Sequence, residues 1–409
     1  MKVTLVAPKR PHSIADRFIK AGNKPMQYPV ALPLLAALTP SDVDIKIIDE
    51  NIEDIDFEEQ VDLVGISISS TYLAPRAYGI ADEFRKRGVK VVAGGTHVTF
   101  LPEEAAEHCD SVVRGEAELI WPEIIGDFKK GRMKKFYQSD KYSDISLLPV
   151  PRKELLKLDK YVIDSVQTSR GCPHRCLFCA VERLNPKTCR YRPIGEVLNE
   201  IKESPFSSFE FIDVNFGANL ERSKELFKSI VSQNITWSSD APLYAARDKD
   251  FLKIARESGC QSLTFGFESI RAENLKRIDK TFNYTEEYRE IIRRVHHYGI
   301  GVIGSFIFGL DGDDKNIFKE FMDFTENSEI DLFIPYILTP YPGTRIYEQF
   351  KQEGRILETD WEKYDSTHVV FQPRLLTAEE LYKGMIPIWD KCQQQWTDYC
   401  KRYFKANEN

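Results

Sequence analysis

The 409-residue chain contains no apolar run approaching the about 18 residues that span a bilayer, so nothing in it reads as a transmembrane segment. It also lacks a cationic surplus. Its 56 Lys and Arg stand against 63 Asp and Glu, and the net charge of -7 argues against a nucleic-acid-binding surface as its main function. The amino-terminal MKVTLVAPKRP has no long apolar core behind its basic residues and reads as a first strand, not a secretory leader. No internal repeat and no low-complexity tract is evident, which excludes solenoid and linker-type architectures. The eight cysteines do not form a disulfide framework. Cys392 and Cys400 fall about 12 Å apart along an expected helix, too far for a bridge. This cysteine usage points to a reducing, cytoplasmic setting. What the chain does have is apolar content, 42%, enough for two or three packed domains.

Three of the cysteines lie together in Thr168-Ser169-Arg170-Gly171-Cys172-Pro173-His174-Arg175-Cys176-Leu177-Phe178-Cys179. Soft thiolates on one short loop converge on a metal centre, and a [4Fe-4S] cube takes four ligands, one per iron. Three local thiols leave one iron open to a small molecule. Zinc, with Cys189 or His174 as fourth ligand, is the alternative, although zinc loops favour paired C-x2-C units.

Around this loop the chain alternates strand-like and helix-like segments, the pattern of parallel α/β sheets. In the first half, strands are expected at Lys2 to Ala7, Asp44 to Asp49, Leu63 to Ser67, Val89 to Ala93 and Val112-Val113, with helices at Val30 to Leu38, Ala74 to Lys86 and Pro102 to His108. Residues 1–127 then form a Rossmann-like domain whose strand ends face a ligand. Residues 128–163, with a basic stretch and little periodicity, read as a linker with a short hairpin. From residue 164 the alternation restarts. Strands are expected at Ser165 to Thr168, Phe209 to Val214, Ile235 to Ser239, Ser262 to Phe267, Gly301 to Phe308 and Leu332 to Leu338. Helices between them complete a partial (β/α)6 barrel over 164–344, with a helical cap over 345–409. Catalytic groups of such barrels sit at the carboxyl-terminal strand ends, where the cysteine loop also falls.

The C-x3-C-x2-C spacing, with Phe178 before the last cysteine, resembles the signature of radical S-adenosylmethionine (SAM) enzymes. The resemblance implies that Cys172, Cys176 and Cys179 hold a [4Fe-4S] cluster. SAM would chelate its open iron, and a reduced cluster would cleave SAM to a 5'-deoxyadenosyl radical. It further implies SAM contacts from Asp213 and Asn215, from Ser239 at the end of the third barrel strand, and from Glu268 and Ser269 in the Gly266-Phe267-Glu268-Ser269 segment. Asn219 reads as a helix cap. Tyr336, Tyr341 and Tyr364 are candidates for a substrate pocket, and Tyr341-Pro342-Gly343-Thr344 reads as structural.

The domain in front resembles the cobalamin-binding domain that precedes many radical SAM modules. The resemblance rests on Val64 to Thr71, Gly94-Gly95-Thr96-His97 and Arg114-Gly115-Glu116-Ala117-Glu118. Ser67, Thr71, Tyr72, Gly94, Gly95, Thr96, Gly115 and Glu116 are the cobalamin-side residues it implies. The D-x-H-x-x-G pattern that supplies a cobalt-ligating histidine is absent, and His97 is expected to be a satisfied surface imidazole. The lower cobalt face is then expected to lie near Thr71 and Tyr72, free of histidine. Hopanoid methylases, tetrapyrrole cyclases and methylases, and peptide or protein C-methylases share this domain order. The resemblance implies a C-methyltransferase using [4Fe-4S], SAM and methylcobalamin, or else a cyclase or rearrangement enzyme. Its electrons would come from an external ferredoxin or flavodoxin, and its substrate would be a peptide, protein side chain, lipid or tetrapyrrole.

Overall fold

A computed structural model describes residues 1–11, 20–21, 24–185 and 187–403. Two all-parallel sheets organise them. The first contains β1 (Lys2–Ala7), β2 (Asp44–Asp49), β3 (Leu63–Ser67), β4 (Lys90–Gly94), β5 (Ser111–Arg114) and β6 (Phe136–Gln138), in the order β2-β1-β3-β4-β5-β6. Its inner strands are near-continuous apolar runs because helices cover both faces. One face packs under α2 (Ala74–Lys86) and α4 (Pro102–His108), and the other under α1 (Ala31–Ala37) and α5 (Trp121–Lys129). The strand order reverses between β1 and β3, and open α/β sheets bind ligands at that crevice.

The segment expected to be a linker supplies β6, which pairs in parallel with β5 through Val112 and Phe136. The first sheet therefore extends past residue 127, and β6 joins an existing edge where a hairpin was expected. Three residues are too short to show a periodicity. Beyond β6, up to residue 163, the chain is loops and 3-10 turns that run across to the second sheet.

That sheet contains β7 (Asp164–Val166), β8 (Ser208–Phe211), β9 (Thr236–Ala241), β10 (Cys260–Glu268), β11 (Gly301–Phe308) and β12 (Leu332–Ile337), paired in chain order. Among the described residues no pairing joins β12 back to β7, so the barrel is partial, as expected. Alternate residues separate its two faces. Phe209, Phe211, Trp237 and Phe265 point outward and are buried with Phe227 of α7 (Leu220–Ile230) and Phe251 of α8 (Lys249–Glu257). The intervening Glu210, Ser238 and Thr264 face the concave interior. Asn219 caps α7 as expected, accepting from the Arg222 amide at 3.1 Å.

The cap begins with α11 (Arg345–Gln352) and ends in α12 (Ala378–Tyr403), while positions 404–409 lie outside the described residues. α12 lies along β12, where the Cys392 thiol donates to the Phe333 carbonyl at 2.9 Å. Further along, the Tyr399 hydroxyl shares a 2.6 Å hydrogen bond with Ser262 of β10 and closes the barrel floor.

The two domains meet at the open edge of β7. The Met26 carbonyl accepts from the Val162 and Ile163 amides at 3.3 and 3.1 Å. The Tyr28 hydroxyl donates to Asp164, and the Lys153 ammonium bridges Asp164 and Glu200, 2.9 Å from each. Arg192 completes the group at 2.5 Å from Glu200. Charges so far from water are retained only when paired this completely.

Candidate active site

The cysteine loop leaves β7 and is fixed before it reaches its first thiol. Ser169–Arg170 pairs antiparallel with Arg190–Tyr191, and Gly171 turns the chain at φ +103°. A Cβ on Gly171 would lie 2.7 Å from the Thr188 carbonyl oxygen, so only glycine fits. Gly171→Ala is expected to cost about 1–3 kcal/mol and to displace Cys172. Thermal unfolding with a parallel iron assay checks it, and an unchanged melting point with full iron content refutes it. Beyond the turn, the Cys179 amide donates to the Cys176 carbonyl, and the Leu177 amide to the Ile278 carbonyl. Arg345, at the head of α11, reaches the loop through Glu182 at 3.1 Å and through the Arg175 carbonyl.

Cys172, Cys176 and Cys179 are all free, and burial pushes the Cys176 thiol up to about 12 and the Cys179 thiol in the same direction. Buried thiols of this kind ionise when a metal takes the charge. Among the described residues no three His, Cys, Asp or Glu side chains converge on a single ion position. Cys189, the alternative fourth ligand, donates instead to the Gly171 carbonyl at 3.4 Å. Two buried polar atoms beside the thiols lack a protein partner, Asn215 Oδ1 and His174 Nε2. Asn215 Nδ2 meanwhile donates to Cys172 Sγ at 3.3 Å. Unpaired polar atoms around free thiols fit a site shaped for a cluster and a polar ligand.

The other expected SAM contacts divide. Asp213 has no oxygen to spare. It accepts from the Thr168 amide, the Thr168 hydroxyl and the Ser169 hydroxyl, each at 2.6 Å, so it braces the start of the cysteine loop. Burial still pushes its carboxyl upward against these hydrogen bonds. Ser239 is fully buried and donates to the Phe211 carbonyl, and Ser269 accepts from the Arg271 amide. Both hydroxyls are hydrogen-bonded within the protein. Whether a strand-end hydroxyl faces a ligand or a neighbouring strand depends on pleat and curvature, which the local sequence does not record.

Glu268 does belong to the interior. It sits at a β10 bulge with φ +63°, and Lys280 Nζ lies 2.5 Å from its Oε1. Burial disfavours the Lys280 charge, but Glu268 and the nearby Cys176 and Cys179 hold its pKa above the ordinary value. No motif singles out Lys280. It is a cation beside the thiols that would balance a thiolate-rich centre.

In the first domain, Ser67 lines a cavity with Ser69 and Leu73, while Thr71 is buried and Tyr72 is half-buried at the facing edge. Gly95, at φ +113°, packs on the Ile68 backbone, where a Cβ would approach the carbonyl oxygen to 2.5 Å. Gly94 and Thr96 flank that turn, and Gly115 at φ +79° donates its amide to Thr99 Oγ1. None of these four lines the cavity described below.

Glu116 is spent on ion pairs. Arg170 and Arg190 approach it to 3.0 and 2.5 Å, and Glu118 takes a second bond from Arg170 at 2.7 Å. Against the cost of burial, those arginines hold the Glu116 carboxyl down at about 2. It ties the first domain to the strand that feeds the cysteine loop. His97 is buried, not a surface imidazole. Its Nε2 meets the Tyr78 hydroxyl at 2.9 Å and its Nδ1 has no partner. It lies in a cluster with Glu104, whose carboxylate also accepts from the Trp361 indole at 2.9 Å.

A cavity of about 490 Å³ joins the two halves. The β1–β3 switch point supplies Ala7, Ser67 and Ser69, the barrel interior supplies Glu210, Thr264 and Tyr336, and α12 supplies Trp396. Tyr336 therefore faces the cavity. Tyr341 is held by Ser366 at 2.9 Å, and Tyr364 is fully buried with its hydroxyl on the Glu358 carbonyl. Gly343 lies under Phe100 of the first domain, consistent with a structural role.

A Rossmann-type domain whose switch point opens onto a partial barrel bearing a three-cysteine loop defines a two-cofactor α/β enzyme. Residues 166–325 match the radical SAM superfamily, and residues 24–125 match the B12-binding domain. The chain is 30% identical to bacteriochlorophyllide d C-12(1)-methyltransferase of Chlorobaculum tepidum, over 95% of this chain and 86% of that protein. It is 32% identical to bacteriochlorophyllide d C-8(2)-methyltransferase of the same organism, over 86% and 82%. Its fold matches the radical SAM methyltransferase TsrM from Kitasatospora setae with a TM-score of 0.74, at 18% identity, over 95% of this chain and 89% of that one. The chain belongs to the cobalamin-dependent radical SAM methyltransferases, and its cofactors are a [4Fe-4S] cluster, SAM and cobalamin.

Proposed function

We propose that this chain directs the family's methyl transfer to an unactivated carbon of an apolar, polycyclic substrate held between its two domains. The observation that carries this reading is the shared cavity, which places the switch point of the first sheet opposite the barrel interior. The polycyclic class is supported by the two relatives acting on bacteriochlorophyllides and by the apolar walls Ile163, Ile303, Ile334 and Trp396. When bound, the cluster with SAM supplies the hydrogen-abstracting radical, and methylcobalamin supplies the methyl group.

Cys172, Cys176 and Cys179 would hold the cluster, with Asn215 over Cys172 and Lys280 offsetting negative charge. Asp213 positions the loop, and Glu268 would turn its Oε2, 3.5 Å from the Ser305 hydroxyl, towards the interior. Residues 1–138 would bind cobalamin, with Ser67 and Ser69 at its edge and Tyr72 between the domains. The interdomain clamps and α12 exclude water from the radical. Among the described residues no helix is long and apolar enough to cross a membrane, which accords with a cytoplasmic enzyme served by a ferredoxin- or flavodoxin-type donor.

The test is incubation of the loaded enzyme with methyl-labelled SAM, reductant and a tetrapyrrole such as chlorophyllide a. We expect 5'-deoxyadenosine, S-adenosylhomocysteine and label in the macrocycle. Deoxyadenosine without S-adenosylhomocysteine would sink methyl transfer in favour of cyclisation or rearrangement.

A further inference from the structure

One group in the cavity has no part in the chemistry above. Glu210 stands on β8 between the outward-facing Phe209 and Phe211, so the strand's alternation turns its carboxyl into the barrel. Its side-chain partner is the Ser238 hydroxyl on the neighbouring β9. No ion pair reaches it among the described residues, although most interior carboxylates of this chain have a cation.

The surroundings explain what such a group is suited to. From β9 it faces Ser238 and Asp240. From β10 come Thr264 and the Cys260 thiol, from β12 Tyr336, and from α12 Tyr399. Tyr28, which reaches Asp164 on β7, and Lys9 and Arg10 of the first domain also line the cavity. Enclosure of the half-buried Glu210 within the barrel, against the Ser238 hydrogen bond and with a further contribution from Asp240, pushes its carboxyl up to about 8. At neutral pH Glu210 is thus an acid with a proton to donate, set in a wall otherwise built of hydroxyls, Ile303, Ile334 and Trp396.

We propose that Glu210, set by Ser238, reads the substrate by donating a hydrogen bond to a carbonyl-type oxygen of an otherwise apolar macrocycle. This rests on the polycyclic reading above and narrows it, because a hydrocarbon polycycle would offer the half-buried carboxyl no acceptor of its own. An unmet buried donor is penalised more than a made bond is rewarded. Glu210 is therefore a specificity residue, and the hydroxyls of Thr264 and Tyr336 stand beside it as further polar contacts.

The experiment uses the full chain with cluster and cobalamin loaded, under anaerobic conditions. Two probes are titrated in the same detergent: chlorophyllide a, which carries a ring ketone and a carboxylate, and diploptene, a pentacyclic hydrocarbon. We expect chlorophyllide a to bind at pH 7 at least about tenfold more tightly than diploptene. That binding should weaken about tenfold between pH 7 and pH 9.5, as Glu210 ionises. Glu210→Gln, which keeps a donor at every pH, should hold chlorophyllide a within about threefold across that range, whereas Glu210→Ala should lose about tenfold at pH 7 and show no pH dependence.

Infrared difference spectra give a readout that needs no ligand. The wild type should show a protonated-carboxyl band at pH 7 that E210Q lacks. Equal binding of the two probes by the wild type, binding of neither, an E210A affinity within threefold of the wild type, or a pH loss retained in E210Q would each overturn the proposal. If the wild type binds neither probe yet converts SAM to 5'-deoxyadenosine and S-adenosylhomocysteine, the methyltransferase reading stands and the Glu210 reading falls.

Discussion

Cys176→Ala is expected to yield a folded protein with almost no iron, reduced from about four atoms per chain, and no cleavage of SAM above background. Cys176 is the most enclosed of the three thiols, and its carbonyl accepts from the Cys179 amide, so removing Sγ subtracts a ligand without opening the turn. Two remaining thiolates would leave two irons without protein ligands, and a cube so held is labile. Cys189→Ala provides the contrast. Its sulfur is occupied with the Gly171 carbonyl, so that variant should keep the cluster's absorbance and its iron. Anaerobic reconstitution followed by iron, zinc and sulfide analysis distinguishes the cases. A full [4Fe-4S] spectrum in Cys176→Ala, or one stoichiometric zinc in the wild type, would refute the ligand assignment.

Lys153→Met is expected to destabilise the protein by about 3–5 kcal/mol, because it leaves buried carboxylates without their bridging cation. Asp164 and Glu200 are 0% and 2% exposed, and Lys153 lies 2.9 Å from each. Arg192 remains on Glu200, so Asp164 would bear most of the loss, with the Tyr28 hydroxyl and the Ser165 amide left beside it. A total stability of about 5–15 kcal/mol makes this a large fraction. Urea unfolding followed by tryptophan fluorescence measures it, and adding Asp164→Asn to Lys153→Met should restore part of the deficit. A change below about 1 kcal/mol in the single variant would show that the network is not closed in solution.

The fold was legible in the sequence wherever strands were apolar and regularly spaced. Lys2–Ala7, Asp44–Asp49, Leu63–Ser67 and Gly301–Phe308 begin and end where their composition places them. β6 was not, since Phe136–Gln138 gains its identity from an edge already formed by β5. The cysteine loop announced itself through spacing alone. Asp213, Ser239, Ser269 and Glu116 are polar residues near strand ends, but only Ser269 finds its partners nearby, in Arg271 and Asn274, while Asp213, Ser239 and Glu116 bond to Thr168, Phe211 and Arg190, 28 or more positions away. Local sequence does not carry that information. Glu210 and Lys280 were missed for the opposite reason. An acid in Ser208-Phe209-Glu210-Phe211 has the alternation of a half-exposed strand, and only the second domain and α12 convert its polar face into an interior.

The open edge of β7 also bears on modular exchange. Tyr28 and Met26 come from the first domain, and Lys153, Val162 and Ile163 from the connecting segment, yet all of them are fastened to the second sheet or to one another across the junction. A chimera cut after residue 127 would divide β6 from its own sheet and pair a foreign tyrosine with the native aspartate. Recombination between relatives should therefore succeed when residues 24–29 and 136–164 travel together, and the seam of the barrel becomes the unit of inheritance in place of the domain.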